Sequence, residues 1–338
     1  MKQARIVLFG DTHLGFDLPG RARIDRRRRG HDFAANFQRV LDHIRRTRPD
    51  AVVHGGDVFH RSRVPAPVVE EGLSGLAGIA ELGIPVFIVP GNHDRSKLPA
   101  SLWLGHPNLH VFREPGSVVI EAGGMRIAMG GFPFAWGDLR ARFAELLAGT
   151  GLATVDADAR FLCMHHTVSG ATVGPSGHVF RSGPDVVPMK ELPATLTAVL
   201  SGHIHRRQEL RREGRPPVFY PGSIERTSFA ERDEAKGFLD ITVAAPGGEP
   251  AYVVRSEFVE LPARPMVDVE LPACLGAGDV AAYLAAEGRR HPGDAVVRIS
   301  AASPAPGVVA QLTADRLRAA FPPSMNIQLA RGLFDAFE

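Results

Sequence analysis

Five times along this chain a short apolar run ends in a loop that bears histidine or aspartate. Ile6-Val7-Leu8-Phe9 precedes Asp11-Thr12-His13, and Ala51-Val52-Val53 precedes Gly56-Asp57. Val86-Phe87-Ile88-Val89 leads into Gly91-Asn92-His93-Asp94, and Phe161-Leu162-Cys163-Met164 into His165-His166. Ala198-Val199-Leu200 leads into Gly202-His203-Ile204-His205. Unbroken apolar runs of this length are expected of strands buried on both faces. An α/β sheet gathers whatever follows such strands along one edge. Polar groups from all five loops are therefore expected at one site.

Between these strands the apolar period changes from continuous to helical. Phe33, Phe37, Val40, Leu41 and Ile44 form one helical stripe, with Asp32 placed as its N-cap. Val69, Leu73, Leu76 and Ala80 form a second that ends at Gly83, and Leu139 to Leu147 a third. Val118–Glu121, Gly123-Gly124 and Arg126–Met129 predict a hairpin. Further strands are expected at Val218–Tyr220, Gly237–Val243 and Tyr252–Val259. The fold class expected is α/β, two sheets packed face to face and flanked by helices. A boundary is expected near Leu261-Pro262, giving a domain over residues 1–262 and a small α+β unit over 263–338. That small unit holds none of the candidate ligands.

Composition narrows the setting more than the chemistry. With 338 residues, 44% hydrophobic and 22% charged, the chain can bury a large core. A net charge of +2 argues neither for nor against nucleic acid. Cys163 and Cys274 lie far apart without metal spacing, which suits a reducing compartment. The first strand starts almost at Met1 and no apolar run spans a bilayer, so a cytoplasmic protein without a signal peptide is expected.

The loop residues are nitrogen and oxygen donors suited to borderline and hard divalent cations. Asp11 and His13 point to one site only if the chain turns after the strand. The Asp57 carboxylate follows two glycines and has two oxygens with which to bridge a pair of cations. Asn92 is an unusual donor, since its amide oxygen coordinates without adding charge. His93 follows it and is expected to face substrate as a proton donor, with Asp94 as its orienting partner or as a turn cap. Singly, Asp11, His13 and Asp57 are also compatible with ordinary turn chemistry. Together the five loops point to a two-metal phosphoesterase.

At these residues the chain resembles the calcineurin-like metallophosphoesterase family, and within it the Mre11/SbcD exonucleases. Asp11–Gly15, Gly56–His60, Pro90–Asp94, His165–Gly170 and Ser201–His205 fit in order. So do Tyr220–Arg226, Phe229-Ala230-Glu231 and Glu234–Phe238. The resemblance implies one metal on Asp11, His13, Asp57 and His205, and another on Asp57, Asn92, His165 and His203. It implies a catalytic His93 and places His60 near the substrate, while His166 falls where relatives carry no ligand. Two Mn²⁺ ions are the implied cofactor, with Fe²⁺, Zn²⁺ and Mg²⁺ compatible with the donor set.

The function expected is a manganese-dependent DNA nuclease acting in DNA repair, as an exonuclease and in some contexts an endonuclease, its small C-terminal domain shaping the DNA cleft. Arg26, Arg27, Arg28 and Arg29, in a loop just after the first motif, are the candidate DNA-phosphate contacts, otherwise a solvated face. Arg181, Arg206, Arg207, Arg211 and Arg212 extend the same candidate rim. Aromatic residues make up only 7% of the chain, so base stacking is not indicated. An SMC-like ATPase is the partner the resemblance implies, although the helices that dock on it are not found before Glu338. A homodimer is also compatible, and a membrane is not expected. The alternatives are a phosphodiesterase or phosphatase for cyclic nucleotides or nucleotide-sugar diphosphates, and a non-catalytic scaffold.

Overall fold

The structure, a computed structural model, describes residues 2–17, 29–94, 105–245, 252–303, 305–330 and 333. It separates into two compact units. One comprises residues 1–16 and 32–262, and the other residues 263–338, with which Asp17 and Arg29–His31 also group.

Two six-stranded sheets make up the larger unit. In the first, Lys2–Phe9, Ala51–His54, Val86–Ile88 and Leu109–Val111 run parallel, and Lys236–Ala245 and Val253–Leu261 extend it antiparallel beside Lys2–Phe9. In the second, Met125–Gly131, Ala159–Met164, Ala198–Ser201 and Val218–Tyr220 are parallel. Gly116–Ala122 and Gln208–Leu210 close its edges antiparallel.

The first strand shows why its sequence lacks alternation. Ile6 and Leu8 pack with Val53, Phe87, Phe161, Cys163 and Leu200 between the sheets. Val7 and Phe9 face the other way, onto Phe37, Leu41, Leu73 and Leu76. Both parities are buried, so both are apolar. The helices Gly30–Thr47 and Ala66–Ala80 carry those last four residues. On the second sheet, Leu162 and Val199 meet Phe143 and Leu146 of the helix Leu139–Gly149. The expected hairpin forms over Gly116–Ala122 and Met125–Gly131.

One expected cap is displaced. The first helix begins at Gly30, so Asp32 lies inside its first turn, 6% exposed, instead of capping it. A carboxylate there still complements the N-terminal end of the helix dipole.

The smaller unit has three strands, Met266–Glu270, Val296–Ser300 and Asn326–Leu329, all parallel. With the helices Val280–Arg290, Pro306–Val309 and Ala314–Ala320 between them, this is a β-α-β-α-β order, not the segregated α+β arrangement. The short helix Pro306–Val309 replaces part of what composition reads as a Pro/Ala-rich loop, with proline at a position where its missing N–H costs nothing. Arg264, at the start of this unit, is 7% exposed and donates to the carbonyls of Asp294 and Ser324. No helix among the described residues is long and apolar enough to cross a membrane.

Candidate metal centre

Each parallel strand that carries a motif ends immediately before it, and the chain then turns sharply. Asp11, His13, Asp57 and His203 all have positive φ, at 49°, 42°, 54° and 80°. Left-handed backbone is uncommon for residues with side chains and concentrates at functional sites. For Asp11 and His13 the turn removes the opposite-face problem that an extended strand imposes. The first two loops are zipped together, with the Asp11 N–H donating to Gly56 O (2.8 Å) and the His13 N–H to Asp57 O (3.0 Å). The His203 N–H donates to Asp11 Oδ2 at 3.1 Å, which adds the fifth loop.

Two glycines let these loops touch. A Cβ on Gly56 would lie 2.2 Å from His165 Nδ1, and one on Gly91 would lie 2.2 Å from Asp57 Oδ1. Neither approach is open to any other residue.

All seven candidate ligands converge. Asp11, His13 and His205 offer atoms within 4.8 Å of one another, as do Asp11, Asp57 and His165. His13 Nε2 and His205 Nε2 are 3.1 Å apart, and His205 Nε2 is 3.6 Å from Asp11 Oδ1. On the other side, Asn92 Oδ1 lies 3.1 Å from His165 Nε2 and 3.0 Å from His203 Nδ1. Asp57 Oδ2 stands between the two groups, 3.3 Å from His165 Nε2 and 3.9 Å from His13 Nε2.

The donor set fits a pair of divalent cations. Four imidazoles, two carboxylates and one amide oxygen, with no thiolate, match hard-to-borderline metals. His165 Nδ1 faces Gly55 O at 2.7 Å and His205 Nδ1 faces Glu231 Oε1 at 3.1 Å. Each of these bonds places the N–H on Nδ1 and leaves Nε2 with its lone pair toward the cluster, as metal-bound histidines require.

Without cations the cluster holds unusual charges. Burial lifts the Asp11 carboxyl to about 6, against the pull of His165 and His205. Burial also acts to raise Asp57, but the charge and hydrogen bond of His165 keep it far below the usual carboxylate range. Burial disfavours a charged His165, yet Asp57 and Asp11 hold it up at about 9. Burial and the His165 charge press His203 down to about 3. One protonated imidazole thus holds the carboxylates together.

His93 and His60 lie at the rim. The His93 N–H donates to Asp57 Oδ1 (2.8 Å), and His93 Nδ1 meets the carbonyl of His60 at 2.6 Å. His93 Nε2 is then 3.9 Å from Asp57 Oδ2, in a side chain 38% exposed. The His60 ring lies 5.6 Å from that of His93 and 5.3 Å from that of His13.

Asp94 corrects one expectation. It is 3% exposed and accepts the N–H groups of Val58, Phe59 and Gly91 at 3.2, 3.2 and 3.0 Å. Among the described residues no hydrogen bond joins it to His93, so it caps the turn and the His60 carbonyl orients the imidazole. Burial and the Asp57 charge push Asp94 up to about 7 despite those donors.

The arginines divide. Arg26, Arg27 and Arg28 lie outside the described residues. Arg29 is 2% exposed, which removes it from an exposed basic rim. Arg206 is committed to Glu234 and Gly174, Arg211 pairs with Glu209, and Arg207 packs over Phe258.

Three features had no role in the sequence reading. Lys236, 1% exposed, donates to Glu231 Oε2 (2.7 Å), to Glu234 Oε2 (3.1 Å) and to the carbonyl of His205 (2.9 Å). Glu231 in turn holds His205. The motif containing both was visible, but its target lies on another loop. Behind the cluster, buried His54 accepts the Gly56 N–H and meets Thr12 Oγ1, which donates to Val58 O. His166 Nε2 accepts the Ala135 N–H at 3.1 Å and contributes no atom to the cluster.

A family model described as calcineurin-like phosphoesterase matches residues 4–207, well over half of the chain. The chain belongs to the calcineurin-like phosphoesterase family. Among its relatives, the DNA double-strand break repair protein Mre11 of Archaeoglobus fulgidus is 27% identical over 288 residues, covering 80% of this chain and 61% of the relative. The SbcD component of the SbcCD nuclease of Bacillus subtilis is 26% identical over 283 residues, covering 73% of this chain and 68% of the relative. This family member thus spans about three fifths of the archaeal protein's length. A solved dimetal phosphatase from Danio rerio, 12% identical, overlays 76% of this chain and 98% of its own at a TM-score of 0.42.

Proposed function

We propose that this phosphoesterase is a DNA nuclease that hydrolyses phosphodiesters with two divalent cations, Mn²⁺ by preference. The observation that carries the reading is the seat of Asp57 Oδ2 between two groups of donors. On this reading Asp11, His13 and His205 hold one cation, Asn92, His165 and His203 the other, and Asp57 both. Bound there, such a pair supplies Lewis acidity to the phosphoryl oxygens and lowers the pKa of water.

The chain's own residues do the rest. His93, its Nδ1 fixed on the His60 carbonyl, presents Nε2 to the departing oxygen and delivers a proton there. His60 bounds the same side of the site. Glu231, backed by Lys236, keeps His205 from rotating. The relatives named for double-strand break repair and as part of the SbcCD nuclease support DNA as the substrate, a repair role, a cytoplasmic setting and an SMC-like ATPase as partner. Arg26 to Arg28 are the proposed phosphate contacts, and residues 263–338 the proposed DNA-cleft domain.

The test is Mn²⁺-supported hydrolysis of end-labelled single- and double-stranded DNA beside cyclic nucleotides and a chromogenic bis-ester. DNA cleavage with negligible turnover of cyclic nucleotides is expected. The reverse preference moves the function to small phosphodiesters, and no hydrolysis of any substrate leaves a scaffold.

A further inference from the structure

Residues 132–137 form a loop beside the centre that the mechanism above does not use. It is fastened at three points. The Phe134 N–H donates to the carbonyl of Pro90 (2.8 Å), just ahead of Asn92. The Ala135 N–H donates to His166 Nε2 (3.1 Å), next to His165. The Trp136 carbonyl accepts from Arg142 Nη1 at 3.2 Å. Two loops bearing candidate ligands therefore set its position.

The fastening orders a run of aromatic rings. Phe134 stacks on His166 at 4.6 Å and 23°, and its centroid is 5.7 Å from that of His203 and 6.1 Å from that of His165. Trp136 meets Phe134 edge-on at 5.0 Å and 73°. The indole is 58% exposed, more than the other exposed large hydrophobic residues, which lie at 39–40%. A lone exposed apolar side chain is ordinary in itself. This one is held two ring contacts from a histidine of the centre, beside an exposed guanidinium.

Rigid aromatic surface next to positive charge is what binds single-stranded nucleic acid without sequence preference, because every base has a π-face. We propose that Trp136 is a stacking platform for the nucleobase that flanks the cleaved phosphodiester, with Arg142 beside it to meet the adjoining phosphate. This deepens the nuclease reading and rests on it. Low aromatic content conceals such a site, since one placed indole is enough.

The experiment compares binding of two labelled oligomers of equal length, oligothymidylate and a fully abasic strand, by anisotropy in EDTA. Charge is matched and only the bases differ. The wild-type chain should prefer oligothymidylate by about tenfold, within the range of one stacked base. In Trp136→Ala that ratio should fall toward one, and Trp136→Phe should restore most of it. In a Trp103→Phe background, Trp136 emission should be quenched by oligothymidylate but not by the abasic strand. A wild-type ratio retained in Trp136→Ala overturns the platform and leaves the nuclease standing. If the wild-type chain binds neither oligomer and cleaves no DNA with Mn²⁺, both fall together.

Discussion

His93 Nδ1 rests 2.6 Å from the main-chain oxygen of His60, and this contact decides which nitrogen of His93 faces the centre. The proton sits on Nδ1, so Nε2 is left for substrate. The bond comes from the backbone, so replacing the His60 side chain does not remove it.

Replacing His93 with Ala should lower kcat on DNA by about 10²–10⁴-fold, the range for a general acid. Cation binding by the seven ligands should persist. Steady-state kinetics beside calorimetric Mn²⁺ titration checks both halves, and unchanged turnover would refute the role.

Metal binding should strengthen with rising pH. In the metal-free protein His165 is held up at about 9 and Asp11 at about 6, and both must lose protons to coordinate. Calorimetry at pH 7.5 in buffers of different ionisation enthalpy should therefore show proton release. The same shifts fix the sign for stability. A histidine raised above its unfolded value stabilises the fold fully below about 6.5 and ceases to as pH climbs through about 9. The metal-free melting temperature should fall between pH 7 and 9, and saturating Mn²⁺ should flatten that slope.

Glu231 and Lys236 test how His205 is held. Glu231→Gln should weaken metal binding by about 10–100-fold, the usual cost of losing a carboxylate behind a ligating histidine. Lys236→Met strands Glu231 and Glu234 and should cost about 3–5 kcal/mol of stability, as when one member of a buried ion pair is removed. Denaturant unfolding of the two variants separates these effects: Glu231→Gln should remain the more stable.

The sequence made the strand-loop recurrence legible because both causes are local. Strands buried on two faces are apolar at both parities, as Ile6 and Val7 show, and the ligands follow the strand ends directly. What it concealed depends on contacts between loops. Asp94 follows His93, yet its carboxylate turns back to the N–H groups of Val58 and Phe59. Glu231 lies in a recognisable motif, but nothing local ties it to His205. Trp136 is one residue in a chain poor in aromatics, and only the Pro90 and His166 contacts place it.

Changing Arg26, Arg27 and Arg28 together to Gln should reduce DNA affinity and flatten the dependence of log K on log salt. Each lost phosphate contact is worth about 0.7–0.9 of slope. Titrations between 50 and 200 mM salt, about the span over which such contacts dominate, will show it. An unchanged slope makes the arginines a solvated face.

The centre itself is tested most directly by counting ions. Equilibrium titration of the metal-free chain with Mn²⁺, read by calorimetry and by elemental analysis of the dialysed protein, should give two ions per chain. Asp57→Ala should bind no more than one, because both positions lose an oxygen. Saturation at a single ion in the wild-type chain, or two ions retained in Asp57→Ala, would contradict the account.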